Sequence, residues 1–322
     1  MRQTGKGKWR NPADPFGSRG SAPIALTTGS LGHECDSGHA YGARGSSNGE
    51  RFVTSVRPSK RSAFAFYVLV FVLAFPIWAL SGFLGTIDTL KVPVADLVLA
   101  FTPLAGALIL VFRAEGSDGL ISFLKRVFDY RTLARSRWIW TALLLAPLVY
   151  ALTYAVLHLA GHRGEPMANL LGLSVLAPIM FLLAIGEEAG WTGYLLDPLQ
   201  ERFGALGASL IIAVPWWLAH IPSIIEIGGT APDIAWWLPG AIALRVLMTS
   251  LYNNAGRSIP AVIIFHTMLN VGRSIAYPTI GSHYDPAYQV TGFGIAFAMA
   301  AIVVLVWGAH SLTKAAPIPS TQ

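Results

Sequence analysis

The sequence predicts an all-α fold, a polytopic membrane helix bundle with about eight transmembrane helices and a disordered N-terminal tail. Two observations carry this prediction. Of the 322 residues, 53% are hydrophobic and only 12% are charged, whereas soluble domains carry roughly 25% charged residues. The apolar residues also form several runs close to the roughly 20 residues that cross a bilayer as a helix. This composition excludes an ordinary soluble domain.

Eight spans are predicted along the chain. They are Ala63–Leu84, Pro93–Phe112, Trp138–Ala160 and Leu171–Leu196, followed by Ala205–Ile225, Ala235–Leu251, Ile259–Ala276 and Gly292–Ala309. Arg245 interrupts the sixth of these spans. The domain organisation that follows is a disordered cytoplasmic tail over residues 1–61, a transmembrane domain over residues 62–312 and a short C-terminal tail over residues 313–322.

The tail over residues 1–61 is rich in Gly, Ser, Arg and Pro and lacks hydrophobic periodicity. It buries too little apolar surface to offset its ordering entropy, so it is predicted to be disordered. An organellar transit peptide would have a similar Arg and Ser content, but no amphipathic pattern supports one. His33, Cys35 and His39 could in principle hold a metal, although incidental histidines in a flexible tail are the favoured interpretation.

The charges of the loops orient the predicted bundle. One side holds ten Lys and Arg from Arg2 to Arg61, then Arg113, Lys125, Arg126, Arg131, Arg135 and Arg137, and finally Arg202, Arg257 and Lys314. The other side holds Lys91 and Arg163, with Arg273 just inside the exit of the seventh span. Because cytoplasmic loops are enriched in Lys and Arg, we expect a cell-membrane protein with both termini in the cytoplasm. The same distribution makes the bilayer, and not a nucleic acid, the expected partner of the basic residues.

Strongly polar side chains interrupt four of the predicted spans. The fourth span carries Glu187 and Glu188, the fifth His220, the sixth Arg245, and the seventh His266 and Asn270. A charged group in hydrocarbon costs several kcal/mol, so ionisable residues at this depth are by default functional candidates. His266 and Asn270 are four residues apart and share a helix face. Glu188 and Thr192 have the same spacing, so the Thr192 hydroxyl can donate to the Glu188 carboxylate.

Each of these residues also has a structural interpretation. A lone intramembrane His or Asn often joins helices by hydrogen bonding. Arg245 could pair with a glutamate or extend towards the membrane surface. Trp216 and Trp217 are most simply lipid-facing or packing residues, although Trp216 could also wall a site four residues before His220. The adjacent glutamates favour function, because a simple interhelical bond needs only one of them.

The combined residue types would suit the attack of water on an amide bond inside the membrane. Two nearby carboxylates in a low-dielectric site cannot both ionise cheaply, so one of them can take a proton from water and later return it. One histidine could hold that water. A second histidine beside an asparagine amide could donate hydrogen bonds to the oxyanion of a tetrahedral intermediate.

These residues resemble the motifs of the CPBP family, which comprises CAAX prenyl endopeptidases and Abi-type membrane proteins. The family pattern is EExxxR, then an aromatic residue four positions before a histidine, and then HxxxN or HxxxD. In this chain Glu187 and Glu188 begin the first motif, and Trp216 precedes His220 within WWLAH. The third motif reads HTMLN and contains His266 and Asn270.

The resemblance implies a hydrolase, an intramembrane endopeptidase that cleaves a membrane protein or peptide, lipidated or not. At least one glutamate of the pair would activate water, His220 would position it, and His266 with Asn270 would stabilise the oxyanion. The family is described as glutamate-type, after an earlier metalloprotease proposal, and this chain has no HExxH. We therefore favour a site without cofactors. Zinc is the alternative, and its ligands would be Glu187, Glu188, His220 and His266.

Thr192 departs from the family pattern, since it stands where the arginine of EExxxR would be. Three explanations are open: a subgroup that tolerates threonine, a cation supplied by Arg245 from another helix, or an impaired site. Two other functions also remain. The polar residues could form the ion path of a transporter, or the chain could be a non-catalytic immunity or partner protein with a decayed site.

Overall fold

The computed structural model describes residues 61–87, 92–162, 170–276 and 286–314. Residues 1–60 of the predicted tail, including His33, Cys35 and His39, lie outside the described residues, as do residues 315–322. Lys91 and Arg163 lie outside them as well.

Helices make up nearly all of the described chain. They are α1 Ala63–Leu84, α2 Val94–Leu99, α3 Thr102–Val127, α4 Tyr130–Ala134, α5 Trp138–Leu159, α6 Leu170–Glu188, a π-helix over Ala189–Leu196, α7 Asp197–Glu226, α8 Ala231–Asn254, α9 Ile259–Ala276 and α10 Pro286–Trp307. A two-stranded antiparallel hairpin, β1 Thr86–Ile87 and β2 Val92–Pro93, connects α1 to α2. The predicted all-α membrane bundle is confirmed.

The described residues contain six continuous helical segments that are long and apolar enough to cross a membrane, and α9 is a shorter apolar helix. One of the six, Leu176–Glu226, has 51 residues, more than twice the length that a single crossing needs. It is broken at Gly204, whose φ of 70° is not helical. Counting two crossings for that segment, one for each of the other five segments and one for α9 gives eight. This total agrees with the predicted count of about eight.

Apart from Ala63–Leu84 and Ile259–Ala276, the predicted spans have different bounds in the structure. The second is divided into α2 and α3, and α3 continues past the predicted end, with a non-helical Gly116. The sixth is the uninterrupted helix α8, because Arg245 has a buried partner and does not break it.

A polar cluster marks one end of the bundle, which we name the basic end. Arg126 of α3 lies 3.0 Å from Asp197 at the start of α7 and 3.0 Å from the Tyr252 hydroxyl of α8. Arg257, which follows α8, lies 2.9 Å from the same aspartate. These contacts fix the last turn of α3, the first turn of α7 and the last turn of α8 at one level.

At the opposite end of the bundle, a different set of contacts joins the helices. The amide of Val94 donates to the carbonyl of Gly85 over 3.0 Å, which holds the start of α2 against the end of α1. The hydroxyl of Ser223, near the end of α7, donates to the carboxylate of Asp96 in α2. We name this the far end, since the chain reaches it from the basic end through the full length of α1 or α7.

Glycines let α6 and the π-helix pack directly on the chain that connects α2 to α3. A Cβ on Gly186 would lie 2.5 Å from the carbonyl oxygen of Ala100, and one on Gly190 would lie 2.4 Å from Cβ of Pro103. Small residues spaced by four are typical of close helix contacts in membranes. Gly186 and Gly190 enclose the two glutamates in sequence, so this close approach sets the depth of the carboxylates.

We predict that Gly190→Ala destabilises the fold. The added methyl meets backbone and ring atoms of Pro103, which cannot rotate away, and such overpacking costs about 1–3 kcal/mol. Thermal unfolding of the purified protein in detergent should shift to lower temperature. Gly294→Ala in α10 is the matched control, because its Cβ would have no atom within 4 Å. Equal shifts for the two variants would contradict the close packing at Gly190.

Candidate active site

Glu187 and Glu188 lie at the junction where α6 becomes a π-helix. Isolated π-helical turns are rare and often occur at functional sites. The π-helix over Ala189–Leu196 is buried throughout. The wider winding therefore occurs inside the bundle, at the turn that carries the two carboxylates.

Glu188 is completely buried and accepts hydrogen bonds from three other side chains. Its Oε2 accepts from the Thr192 hydroxyl at 2.5 Å and from Nη1 of Arg245 at 2.9 Å. Its Oε1 lies 2.8 Å from Nδ1 of His266. The spacing-based prediction of a bond from Thr192 to Glu188 is confirmed. The carboxylate joins the π-helix, α8 and α9 at one point.

Arg245 supplies a cation to the glutamate pair from another helix. Its side chain is 2% exposed, so the interpretation that it extends towards the membrane surface is wrong. Its guanidinium carbon lies 4.0 Å from the centroid of the Trp216 ring, a distance at which a cation–π contact is favourable. Its Nε and Nη2 make no hydrogen bond with described residues. The ion pair with Glu188 and the Trp216 ring therefore provide most of the compensation for this charge.

Glu187 has a more open environment than its neighbour. Its Oε2 accepts a hydrogen bond of 2.7 Å from Nε1 of Trp216. Its Oε1 lies 3.9 Å from Nε2 of His266, too far for a hydrogen bond. The side chain is 14% exposed and lines a cavity. Glu187 therefore retains an oxygen that can bind water or substrate, whereas both oxygens of Glu188 are engaged.

The two histidines lie on either side of Trp216. The Trp216 ring meets His220 edge-on at 5.2 Å and His266 edge-on at 5.8 Å between centroids. Nδ1 of His220 lies 2.7 Å from the Trp216 carbonyl oxygen. Because a carbonyl only accepts, Nδ1 of His220 carries the proton, and Nε2 is the acceptor in the neutral ring.

A cavity of about 290 Å³ is lined by predicted site residues from three helices. Glu187, His220, His266 and Asn270 all contribute to its wall, and Trp216 lies beside them. Asn270 follows His266 by one turn of α9, as the spacing predicted. Glu188, Thr192 and Arg245 are not in the wall. They form a layer behind it that holds His266 and the Trp216 ring.

Of the interpretations given to Trp216, packing inside the bundle and forming part of the site wall are confirmed, and only the lipid-facing one is wrong. The side chain does not face lipid, because it is 2% exposed and contacts Glu187, Arg245 and both histidines. Trp217 is half-buried and donates to the Ile234 carbonyl at 2.8 Å, which agrees with the packing interpretation of this residue.

Sequence reasoning missed two further residues of the cavity wall. Asp96 lies in the second predicted span and is bound by Ser223, one turn after His220. A carboxylate within an apolar run was a sufficient signal to find it. Trp237 of α8 packs on Trp216 at 5.4 Å and on His220 at 5.6 Å between centroids. Nothing in the sequence distinguishes it from Trp236, which is exposed.

The four candidate zinc ligands do not converge in this arrangement. Over the ranges that the structure describes, no three His, Cys, Asp or Glu side chains are grouped closely enough to hold a metal ion. His266 is directed at the two glutamates, whereas the hydrogen-bond partner of His220 is a backbone carbonyl. The site without cofactors stays a prediction.

Comparisons with known proteins add an independent line of evidence. Residues 166–272 match the family model described as type II CAAX prenyl endopeptidase Rce1-like. That range contains every predicted site residue, from Glu187 to Asn270. The chain is also similar to CAAX prenyl protease 2 of Methanococcus maripaludis, with 23% identity over 256 residues. The alignment covers 74% of this chain and 92% of that relative.

These similarities support a CPBP-family protease. The resemblance to this family that the three motifs indicate is thereby confirmed. A CAAX-type protease of the membrane is the function class that the comparisons support. The matched descriptions name a reaction and not the residues that perform it.

We predict that Arg245→Met strongly destabilises the protein, because it leaves the Glu188 carboxylate buried without its cation. Removing one partner of a buried ion pair costs about 3–5 kcal/mol. Thermal unfolding in detergent measures the loss. Arg257→Met is the matched control, because this arginine is 52% exposed in its pair with Asp197, and exposed pairs contribute at most about 1 kcal/mol. Adding Glu188→Gln to Arg245→Met should recover part of the stability. Equal losses for both arginine variants would contradict the buried pair.

Proposed function

We propose that this protein is an intramembrane endopeptidase that hydrolyses a peptide bond of a membrane protein or peptide, with Glu187 as the base that activates water. The observation that carries the proposal is the unequal environment of the two glutamates. Glu188 is enclosed and bound at both oxygens, whereas Glu187 lies in the wall of a cavity with one oxygen available. General-base catalysis needs a carboxylate that water can reach.

In this mechanism a water molecule lies between Glu187 and His220. Nδ1 of His220 donates to the Trp216 carbonyl, which leaves Nε2 as an acceptor for one hydrogen of that water. Glu187 takes the other proton as the water oxygen attacks the scissile carbonyl carbon. The protonated Glu187 then returns this proton to the departing amine. The base and the water-positioning group thus act from different helices, α6 and α7.

The oxyanion formed by this attack faces His266 and Asn270. Nδ1 of His266 is already engaged with Glu188, so the ring must donate through Nε2 and carry both protons to bind an oxyanion. The carboxylates of Glu187 and Glu188 on either side favour that charged form. The Asn270 amide is the second donor, and donors held in advance at such a position supply a large part of catalysis.

We propose a catalytic type that is glutamate-dependent and independent of metal. The support is the hydrogen bonding of Glu188, which accepts from the Thr192 hydroxyl and from Arg245. These bonds occupy oxygen lone pairs that Glu188 would need in order to bind a metal ion. The cavity wall is largely apolar. We therefore propose a membrane-associated substrate, lipidated or not, as the names of the matched family and of the Methanococcus maripaludis relative suggest.

Glu187→Gln should abolish cleavage while leaving the fold intact, because the amide cannot take a proton from water. General acid–base groups contribute about 10²–10⁴-fold to rate, so cleavage should fall by at least about 100-fold. The measurement compares precursor and product in membrane proteomes from cells with the wild-type and variant proteins. It is followed by cleavage of the identified precursor in proteoliposomes.

Glu201→Gln is the matched control, since Glu201 is an exposed glutamate of α7. It should cleave at the wild-type rate, with both variants equally abundant and equally stable. Full cleavage by Glu187→Gln would disprove the assignment of the base. Solute flux through proteoliposomes that contain the wild-type protein, without any cleaved product, would replace the proposal by a transport function.

Trp216→Phe should lower kcat without a comparable change in KM. The change keeps a ring under the Arg245 guanidinium but removes the N–H that donates to Glu187. A hydrogen bond to a charged group contributes about 1.5–3 kcal/mol, so we expect kcat to fall about 10–100-fold. Trp217→Phe removes a comparable bond to the Ile234 carbonyl and serves as the control. Indistinguishable kinetics of the two variants would show that the Trp216 N–H does not orient the base.

A further inference from the structure

The cavity extends from Glu187 to the far end of the bundle. Its floor is formed by Glu187, and its wall rises along α9 from His266 to Arg273, about 10 Å at 1.5 Å per residue. Ile227 and Gly229, which connect α7 to α8 at the far end, line it as well. The hairpin strand β2 contributes Val92 and Pro93. The connections of the far end therefore border its mouth.

No described residue of the basic end takes part in this wall. The lining residues of α3 stop at Pro103, and those of α8 stop at Leu244, ten residues before the helix ends. The lining residues of α7 begin at Trp216 and continue to the far end. Between the floor and the basic end the bundle is packed. Leu195 and Tyr252, for example, are both completely buried.

Charge is distributed very unequally between the two ends. Ten of the twelve arginines and lysines that the structure describes lie at the basic end: Arg61, Arg113, Lys125, Arg126, Arg131, Arg135, Arg137, Arg202, Arg257 and Lys314. Arg245 lies within the bundle, and Arg273 alone among the described basic residues lies towards the far end. In the sequence, segments 88–91 and 163–169 add one basic residue each, whereas segment 277–285 adds none.

We infer that the active-site cavity opens to the non-cytoplasmic side of the membrane, opposite the basic end. Short loops rich in Lys and Arg are retained in the cytoplasm. The basic end is therefore cytoplasmic, and the mouth of the cavity lies on the other side. Water and substrate reach Glu187 from that side.

This orientation restricts the class of substrate, a point that rests on the proposed proteolytic function. The scissile segment belongs to a membrane-bound peptide or protein and is presented at the non-cytoplasmic surface. A lipidated C-terminus that remains in the cytoplasm would meet the closed, basic end of the bundle. The side of access itself follows from the cavity and the charges and does not depend on proteolysis.

Cysteine accessibility tests the orientation without requiring any activity. Cys35 is the only cysteine of the chain, so Cys35→Ser provides a background for single-cysteine variants. Ala160→Cys marks the far end and Ala134→Cys marks the basic end, and both alanines are exposed. Ala219→Cys places a thiol in the cavity wall. A membrane-impermeant, charged maleimide is applied to intact bacterial cells and to inside-out vesicles that contain the full-length protein.

We expect labelling of Ala160→Cys and Ala219→Cys in intact cells, and labelling of Ala134→Cys only in inside-out vesicles. The reverse pattern would overturn the inference. Labelling of Ala219→Cys only from the side that labels Ala134→Cys would overturn it as well. Because no outcome depends on cleavage, a protein that is labelled as expected but cleaves no substrate would refute the proposed function alone.

For the substrate class, the precursors that accumulate with Glu187→Gln are located by protease digestion of intact cells. Cleavage sites on the non-cytoplasmic side are expected. Cleavage sites confined to the cytoplasmic side would overturn the substrate assignment while leaving the protease intact.

Discussion

The buried carboxylate of Glu188 is the constraint on which the rest of the site depends. Its Oε2 is bound to Arg245 at 2.9 Å and its Oε1 to His266 at 2.8 Å, and the side chain is completely buried. Hydrocarbon makes an unpaired charge far more costly than a poorly packed apolar side chain. The helices that carry these partners must therefore meet at this point. The ion pair fixes the positions of α8 and α9 relative to the glutamates.

Glycines at the helix contacts allow the helices to approach one another this closely. Gly186 and Gly190 bring the glutamate turn against Ala100 and Pro103. On another side of the π-helix, the ring of Trp191 meets Phe66 of α1 edge-on at 5.5 Å. Glycine contacts bring the backbones close, and the aromatic contact fills the space beyond them. A π-helix in this turn is held by its neighbours on several sides, so its unusual winding does not depend on local sequence preference alone.

The polar residues, their spacing and the number of membrane crossings could be predicted from the sequence. The hydrogen-bond partners of those residues on other helices could not. The bond from Thr192 to Glu188 follows from helical spacing alone. The bond from Trp216 to Glu187 depends on how α7 is rotated against α6. Helix rotation is usually read from amphipathic periodicity, and a helix in lipid is apolar on most faces. For the same reason Trp237 was missed, since the exposed and buried tryptophans of α8 could not be told apart. Asp96 is different, because a carboxylate within an apolar run is visible in the sequence.

Because Thr192 stands where the arginine of the family pattern would be, the cation that compensates the glutamates comes from a different helix. An arginine on the glutamate helix would compensate Glu188 from within one element. Arg245 does so from α8, and its guanidinium also covers the Trp216 ring whose N–H binds Glu187. A displacement of α8 would therefore alter the environment of both glutamates at once. The threonine hydroxyl keeps one bond to Glu188 and leaves room for the distant cation. Of the three explanations for Thr192, a cation supplied from another helix is the one for which the geometry provides a contact, and it makes α8 a structural part of the candidate active site.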